Sequence, residues 1–224
     1  MFAAGAVGLV VYNNVPRLFR GVLRSQPESP VISLSQADGE AIEELLADSA
    51  IEAFINLAVE SLLPQNVIAE KSGLSEATVV LGGHYDTVAG IAGANDNASG
   101  TAVFLTIARL LEDVDLPSTL GIVPFGSEEI GILGSRFYVG LLSDDDLENT
   151  KAMLNFGALG TGSGVTVFGD EVLTTPAAAA GNEVGGRVSV TRGMSGGTSD
   201  SAPFQKGVVR YALRQRRFQD PLRG

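Results

Sequence analysis

Residues 82–100 read GGHYDTVAGIAGANDNASG and contain the single histidine of a 224-residue chain. His84 and Asp86 follow a run of Val and Leu that is typical of a buried strand, and Asp96 lies in a glycine-rich turn before a predicted helix. A strand, a polar loop and a helix in this order indicate an α/β sheet, in which ligand sites lie at the carboxyl ends of the strands. Imidazole and carboxylate groups at such an edge are potential metal ligands.

Strands and helices alternate through the rest of the chain, which predicts the α/β fold class with helices on the faces of a sheet. The predicted strands are residues 66–69, 77–81, 119–125, 152–156, 165–168 and 188–191, and the predicted helices are residues 98–111 and 130–142. The first portion is small and β-rich, with strand character at residues 5–12, 30–34 and 51–59 and helical spacing at residues 35–46.

The composition limits the classes of partner. Hydrophobic residues make up 45% of the chain, which is enough for a core, and the net charge of −11 argues against nucleic acid as a partner. No apolar segment is long enough to span a membrane, and the apolar start of the chain lacks the basic residues of a signal peptide. Because the chain has no cysteine, a zinc ion would have to be bound by His, Asp and Glu.

Glu128 and Glu129 follow the predicted strand 119–125, so they are expected at the same edge of the sheet as His84. Adjacent side chains point in different directions, so one glutamate can bind a metal while the other acts as a general base. Asp86 is placed to orient the His84 ring from behind. Each residue alone has an ordinary explanation, such as a helix cap at Asp96, but together they favour a metal-dependent hydrolase.

Five segments carry a resemblance to a known family: VVLGGHYDTV, GANDNASGTAVFLTIARLL, TLGIVPFGSEEIGILGSRFYV, NTKAMLNFGALG and SDSAPF. In this order, over residues 65–204, they resemble the co-catalytic two-zinc exopeptidases of the bacterial leucyl aminopeptidase and aminopeptidase Y type. The resemblance implies a three-layer α/β/α sheet of the zinc-exopeptidase (phosphorylase/hydrolase-like) type, preceded by a small β-rich fragment.

The beginning of the chain resembles a second module. GAVGLVVYNN and PVISLSQADGEAIEELL are similar to the protease-associated domain that many members of this family carry. We therefore expect a partial protease-associated domain over residues 1–60 and a zinc exopeptidase domain, incomplete at its C-terminal end, over residues 61–224.

The resemblance also implies residue roles. His84 would bind one zinc ion, Glu129 the other, and Asp96 would bridge both; Glu128 would be the general base and Asp86 the partner of the histidine. The implied reaction is the zinc-dependent removal of N-terminal residues from peptide or protein substrates by an extracellular or secreted enzyme, with neither nucleic acid nor membrane as a partner.

Two positions depart from the family pattern. Gly157 stands where the family has an aspartate ligand of the zinc bound by His84, and Ser201 stands where it has a histidine ligand of the zinc bound by Glu129. Asp200 lies beside the site in the family and is a weak substitute. The sequence therefore predicts an impaired aminopeptidase with two, one or no zinc ions; the alternative is a catalytically inactive binding or structural domain with the same fold.

Two further features remain outside this pattern. Residues 193–197, GMSGG, fit a nucleophilic-serine motif, but the histidine base of α/β-hydrolases follows the serine, whereas His84 precedes it. From Lys206 onward the chain is rich in arginine, which predicts either a solvated terminal helix or an abnormal end produced by truncation or a shifted reading frame.

Overall fold

A computed structural model of the chain describes residues 5–16, 21, 23, 28–58, 63–191 and 198–204, together with the backbone of residues 209–215. Packing divides the chain into two compact units, Met1–Leu63 and Pro64–Gly224. The strands are β1 (Leu9–Tyr12), β2 (Val31–Leu34), β3 (Ala69–Lys71), β4 (Thr78–His84), β5 (Thr119–Phe125), β6 (Thr150–Gly157), β7 (Val165–Gly169), β8 (Val188–Thr191) and β9 (Val209–Gln215). The helices are α1 (Gln36–Asp48), α2 (Gly100–Leu110), α3 (Leu133–Leu141), α4 (Asp144–Asn149) and α5 (Glu171–Glu183).

The first unit contains a parallel pair of strands and one helix. β1 and β2 pair in register from Leu9–Val31 to Tyr12–Leu34. Helix α1 begins after Ser35, whose hydroxyl oxygen accepts a hydrogen bond from the Asp38 backbone N–H at 3.2 Å. Gly39 lets the helix lie directly against Tyr12, because a Cβ atom at this position would be 2.1 Å from the ring. The identity of this unit as a protease-associated fragment stays a prediction.

The predicted strand at residues 51–59 is wrong over its described part, residues 51–58, which form no strand. Its apolar side chains are largely exposed, with 93% exposure for Phe54 and 46% for Leu57. An apolar run forms a strand only where a neighbouring strand takes up its hydrogen bonds, and none of the described strands pairs with this segment.

The second unit is built on a seven-stranded sheet in the order β3-β5-β4-β6-β9-β7-β8. β4 lies between β5 and β6 and runs parallel to both, whereas β3 and β7 are antiparallel to their neighbours β5 and β9. Parallel neighbours bring the carboxyl ends of β4, β5 and β6 to one edge of the sheet. The predicted α/β fold class is confirmed.

Two apolar clusters cover opposite faces of this sheet. Val80 and Leu81 are successive residues of β4 and therefore point to opposite sides. On one side the buried cluster, packed against α3, is Val80, Val123, Phe125, Met153 and Phe204. On the other side the buried cluster, packed against α2, is Leu81, Phe104, Leu120 and Phe156. Helices on both faces make the three-layer arrangement that the sequence predicts.

Several element boundaries differ from the sequence-based expectation. The helix predicted from residue 130 begins at Leu133, because Gly131 and Ile132 adopt positive φ angles that end any helical path before it. The strand predicted at residues 66–69 is displaced to Ala69–Lys71. Asn66 instead uses its side chain, which donates to the carbonyl of Gly134 and accepts from the N–H of Gly126.

Two helices and one strand were not expected. Helix α4 begins with a capping box in which Ser143 and Asp146 exchange side-chain and backbone hydrogen bonds, and α5 contains Pro176 and Gly181, which mask its helical pattern. The predicted solvated terminal helix is wrong for residues 209–215, which form β9 inside the sheet. The period of a strand is present in the apolar residues Val209, Tyr211 and Leu213, but the arginines between and after them make the segment look like a charged helix.

Within the part of the chain that the structure describes, no helix has the length and apolar character needed to cross a membrane.

Candidate metal centre

The sheet brings the predicted site residues to one edge. His84 is the last residue of β4 and lies in register with Phe125, the last residue of β5. Glu128 and Glu129 follow β5 after a short turn, and Asp96 lies in the irregular turn Ala94–Ser99 that leads into α2. Segments that are separated by up to 45 residues in the chain therefore meet at the carboxyl ends of two parallel strands.

The side chains of these residues converge around the His84 imidazole. Its Nε2 atom lies 3.2 Å from Asp96 Oδ1 and 3.9 Å from Glu128 Oε2. One ligand atom each of His84, Asp96 and Glu129 lies within 4.8 Å of the other two. His84 is only 6% exposed, whereas the side chain of Asp96 is 48% exposed, so the ring is buried and one of its carboxylate neighbours is open to solvent.

Asp86 connects the histidine to the glutamate pair. The Nδ1 atom of His84 lies 3.0 Å from the backbone oxygen of Asp86 and 3.6 Å from its Oδ1. The carboxylate of Asp86 accepts hydrogen bonds from the backbone N–H groups of Glu128 (3.0 Å) and Glu129 (3.2 Å). One residue thus orients the ring through its main chain and holds the glutamate turn through its side chain.

Asn97 is a further residue of the site. Its side-chain amide donates to the backbone oxygens of His84 and Phe156, both at 2.9 Å. Its side-chain oxygen accepts from the N–H groups of Gly100 and Ala158. With 1% of its surface exposed, Asn97 ties the ends of β4 and β6 to the start of α2.

Two residues with side chains adopt positive φ angles beside the site. Ser127 (φ 59°) directly precedes the glutamate pair, and Ala158 (φ 50°) directly follows Gly157. Non-glycine residues in this region are uncommon, and they are concentrated at functional sites where surrounding contacts hold them. Ala158 is held by its hydrogen bond to Asn97, whereas nothing in the sequence pattern indicates the conformation of Ser127.

The two departing positions lie at the same edge of the sheet. Gly157 is the last residue of β6, and both it and His84 lie two residues beyond the Gly82–Asn155 pair of the β4–β6 ladder. Ser201 belongs to the turn at residues 199–203, which is joined to β6 by the hydrogen bond from the Asn155 amide to the Ser199 hydroxyl. Glycine has no side chain and a serine hydroxyl is a weak neutral ligand, so neither replaces the ligand that the family pattern has there.

Asp200 is fully buried next to Ser201, and neither of its carboxylate oxygens has a hydrogen-bond partner among the described residues. The hydroxyl of Ser135 lies close to it but donates to the carbonyl of Ile132 at 3.3 Å. Burial raises the pKa of Asp200 to about 6, although Ser135 and the positive charge of His84 oppose the increase. Asp200 is therefore an unpaired acid that adds to the negative potential at His84.

The acidic surroundings dominate the titration of the site. Burial lowers the pKa of His84, but Asp86 and Asp96 outweigh this effect and raise the pKa to about 11. Burial raises the pKa of Glu128 to about 7, partly opposed by His84. Burial, followed by the charge of Asp96, also raises the pKa of Glu129. Several acids grouped around one imidazole form a site that a divalent cation would stabilise.

The donor set suits zinc. An imidazole nitrogen and carboxylate oxygens are among the usual ligands of zinc, and catalytic zinc sites have three protein ligands with one open position. Three such donors lie within one cluster, on His84, Asp96 and Glu129.

The possible nucleophilic-serine motif at residues 193–197 lies outside the described residues.

Comparison with known proteins agrees with this arrangement. The sequence profile of Peptidase family M28 matches residues 66–217. Leucine aminopeptidase 2 of Trichophyton equinum is 38% identical over 163 residues, which cover 70% of this chain and 33% of that protein. Aminopeptidase YwaD of Bacillus subtilis (strain 168) is 33% identical over 163 residues, which cover 71% of this chain and 35% of that protein.

A solved structure shares the fold. The structure of BSAP, a zinc aminopeptidase from Bacillus subtilis, superposes with a TM-score of 0.73 and 29% sequence identity, covering 95% of this chain and 55% of that one. The chain spans about a third of the length of the curated relatives it matches. Because the family profile extends over more than half of the sequence, the chain belongs to Peptidase family M28.

Proposed function

We propose that this chain is a zinc-dependent aminopeptidase that removes N-terminal residues from peptides or proteins, with activity reduced by the loss of two ligands. The observation that carries the proposal is the convergence of one ligand atom each from His84, Asp96 and Glu129 within 4.8 Å. Glu128 stands beside this group, 3.9 Å from the His84 ring. Membership of a peptidase family supports the reaction class.

Glu128 is the proposed general base. When bound, zinc would polarise the substrate carbonyl and make a nearby water molecule more acidic. Glu128 takes a proton from the attacking water and transfers it to the departing amino group. Its side chain is 17% exposed, and burial raises its pKa to about 7, which makes this carboxylate a stronger base than an exposed glutamate.

Asp86 and Asn97 are the proposed positioning residues. Asp86 directs its backbone oxygen to Nδ1 of His84, which leaves Nε2 facing the cluster of carboxylates. Asn97 fixes the backbone oxygen of the same histidine. The acidic surroundings of the site would also favour a substrate with a free, positively charged α-amino group.

The remaining parts of the proposal concern the first unit and the location of the protein. We assign residues 1–60 to a partial protease-associated domain because two of their segments, GAVGLVVYNN and PVISLSQADGEAIEELL, resemble that domain. The parallel β1–β2 pair followed by α1 is compatible with a β-rich fragment. A secreted or extracellular location follows from the same resemblance.

A second candidate function rests on Gly157 and Ser201. If the two missing ligands prevent metal binding, the chain would be an inactive peptidase-fold domain that acts in binding or structural support. The feature that favours this alternative is the chemistry of these two positions, because glycine offers no side chain and serine only a weak neutral hydroxyl where zinc needs imidazole or carboxylate ligands.

Metal analysis with a peptidase assay separates the two candidates. The purified chain is equilibrated with zinc, freed of unbound ion and assayed for zinc content and for hydrolysis of leucyl-p-nitroanilide. We expect bound zinc and hydrolysis that is lost in a chelator and restored by zinc. A chain that binds no zinc and hydrolyses none of a panel of aminoacyl-nitroanilides would establish the inactive domain instead.

A further inference from the structure

Gly157 and Ser201 change the number of ions that the site can hold. With these residues at the two positions, the pairing implied by the family leaves His84 and Asp96 for one ion, and Asp96 and Glu129 for the other. Each ion would then have two protein ligands, one fewer than catalytic zinc sites normally have. Two dications a few ångströms apart also repel strongly, and fewer carboxylates remain here to offset that repulsion.

The geometry points to a single-ion centre: we propose that the chain binds one divalent cation held jointly by His84, Asp96 and Glu129. This inference deepens the proposed function and rests on the same site. In the family pattern these ligands are divided between two ions. Here they would all bind the same ion.

The distances within the cluster suit one ion. Two donors bound to the same tetrahedral zinc at about 2.0–2.1 Å are separated by about 3.3 Å. His84 Nε2 and Asp96 Oδ1 already lie 3.2 Å apart. One ligand atom of Glu129 lies within 4.8 Å of those of His84 and Asp96, and its side chain is half-buried, which makes it the third donor of the set. The fourth position then remains open, as in other catalytic zinc sites.

Glu128 remains outside the ligand set. Its carboxylate is 3.9 Å from His84 Nε2, and its backbone is fixed by Asp86, as is that of Glu129. The two neighbouring glutamates therefore keep separate tasks: Glu129 binds the ion and Glu128 stays free to accept a proton. A one-ion centre of this kind retains the elements needed for hydrolysis.

Zinc stoichiometry tests the proposal without depending on activity. The full chain is titrated with Zn²⁺ by isothermal titration calorimetry, and bound zinc is measured by mass spectrometry after gel filtration. We expect one zinc per chain, and a dissociation constant that rises by more than about a hundredfold in His84→Ala and in Glu129→Gln, because the loss of even an outer hydrogen-bond partner weakens metal sites 10–100-fold.

Asp113→Asn, which changes an exposed acid away from the site, is the matched control and should leave the stoichiometry and affinity unchanged. Circular dichroism verifies that each variant is folded. Two zinc ions per wild-type chain, no zinc, or one zinc whose affinity is unaffected by Glu129→Gln would each overturn the single-ion centre.

A rescue experiment provides the second, independent test. The double variant Gly157→Asp with Ser201→His restores both family ligands, and we expect it to bind two zinc ions. A double variant that still binds one ion would contradict the explanation that these two positions limit the number. If the wild-type chain binds one zinc ion but does not hydrolyse nitroanilides, the single-ion centre is supported and the proposed activity is contradicted. If it binds two zinc ions and hydrolyses nitroanilides, the activity is supported and the single-ion centre is contradicted.

Discussion

The two ring nitrogens of His84 have different partners, and these partners determine which nitrogen can bind a metal ion. Nδ1 faces the backbone oxygen of Asp86 at 3.0 Å, and Nε2 faces the carboxylate of Asp96 at 3.2 Å. A hydrogen bond at one nitrogen fixes which of the two nitrogens is available to bind a cation. The HxD spacing in the sequence predicts proximity of His84 and Asp86, but only the backbone path reveals that Asp86 contacts the ring most closely through its main chain.

Glu128→Gln tests the general base. The amide keeps the size of the side chain but cannot accept the proton, so we expect kcat for leucyl-p-nitroanilide to fall by about 10²–10⁴-fold, the usual contribution of general-base catalysis. Zinc content should remain that of the wild type, since the residue is not one of the proposed ligands. Glu129→Gln is the matched comparison, in which zinc content falls. Unchanged turnover in Glu128→Gln would eliminate the proposed mechanism.

Asp200→Asn tests the buried acid through the pH dependence of stability. Burial raises the pKa of Asp200 from 3.8 to about 6, so the carboxylate disfavours folding as pH rises above 4, and the full penalty is present above about 6. A pKa of about 6 in place of 3.8 corresponds to at most about 3 kcal/mol of stability. With a chelator present, we therefore expect Asp200→Asn to raise the free energy of unfolding by about 1–3 kcal/mol more at pH 8 than at pH 4.

Urea denaturation at the two pH values gives this difference directly. Asp113→Asn, at an exposed position, serves as the control and should show no comparable dependence on pH. An Asp200→Asn effect of equal size at pH 4 and pH 8 would mean that the buried carboxylate does not titrate in this range.

At the scale of secondary-structure elements, Asn97 replaces hydrogen bonds that the ends of β4, β6 and α2 cannot make with each other. Strands that end at a ligand site leave backbone groups without sheet partners, and buried groups of this kind require others. One amide side chain meets four of them, at His84, Phe156, Gly100 and Ala158. The sequence indicates the helix start and the two strands, but not the link between them, because that link joins residues far apart in the chain.

Asn97→Ala should destabilise the second unit by about 3–5 kcal/mol, since several buried backbone groups lose their partner at about 1–3 kcal/mol each. The same change should weaken zinc binding, because the His84 backbone loses a restraint. Denaturant unfolding and zinc titration measure the two effects. Asn182→Ala in the exposed end of α5 is the control and should change stability by less than about 0.5 kcal/mol. A loss below 1 kcal/mol for Asn97→Ala would contradict the bridging role.

At the scale of the whole molecule, the sheet order converts distant sequence positions into neighbours. β4 lies between β5 and β6, so the ligand positions after these strands converge on one edge although residues 84, 129 and 157 are far apart in the chain. The core clusters on both faces hold these three strands in place. An ion that joins side chains from different segments should therefore stabilise the second unit as a whole.

Zinc removal tests this coupling. A ligand that binds only the folded state at a free concentration of 100 times its dissociation constant adds about 2.7 kcal/mol, which corresponds to about 5–10 °C in Tm for a unit of this size. We expect differential scanning calorimetry to show a decrease of this order on chelation and recovery on zinc addition. In His84→Ala the chelator should have no effect. An identical Tm with and without zinc in the wild type would show that the ion does not bind the folded unit.

The sequence by itself determined the α/β class and the strands at residues 77–81, 119–125 and 152–156, and it indicated that Glu128 and Glu129 follow a strand at the same edge of the sheet as His84. These follow from local signals, because hydrophobic period and turn residues are properties of neighbouring positions in the chain. It failed at residues 51–58 and 209–215, where strand formation depends on whether a partner strand is present. Only the tertiary structure decided that Asn97 links three elements, that Asp200 is buried without a hydrogen-bond partner among the described residues, and that ligand atoms of His84, Asp96 and Glu129 lie within 4.8 Å of one another. Each of these depends on distances between segments that the sheet order sets, and sequence spacing does not encode those distances.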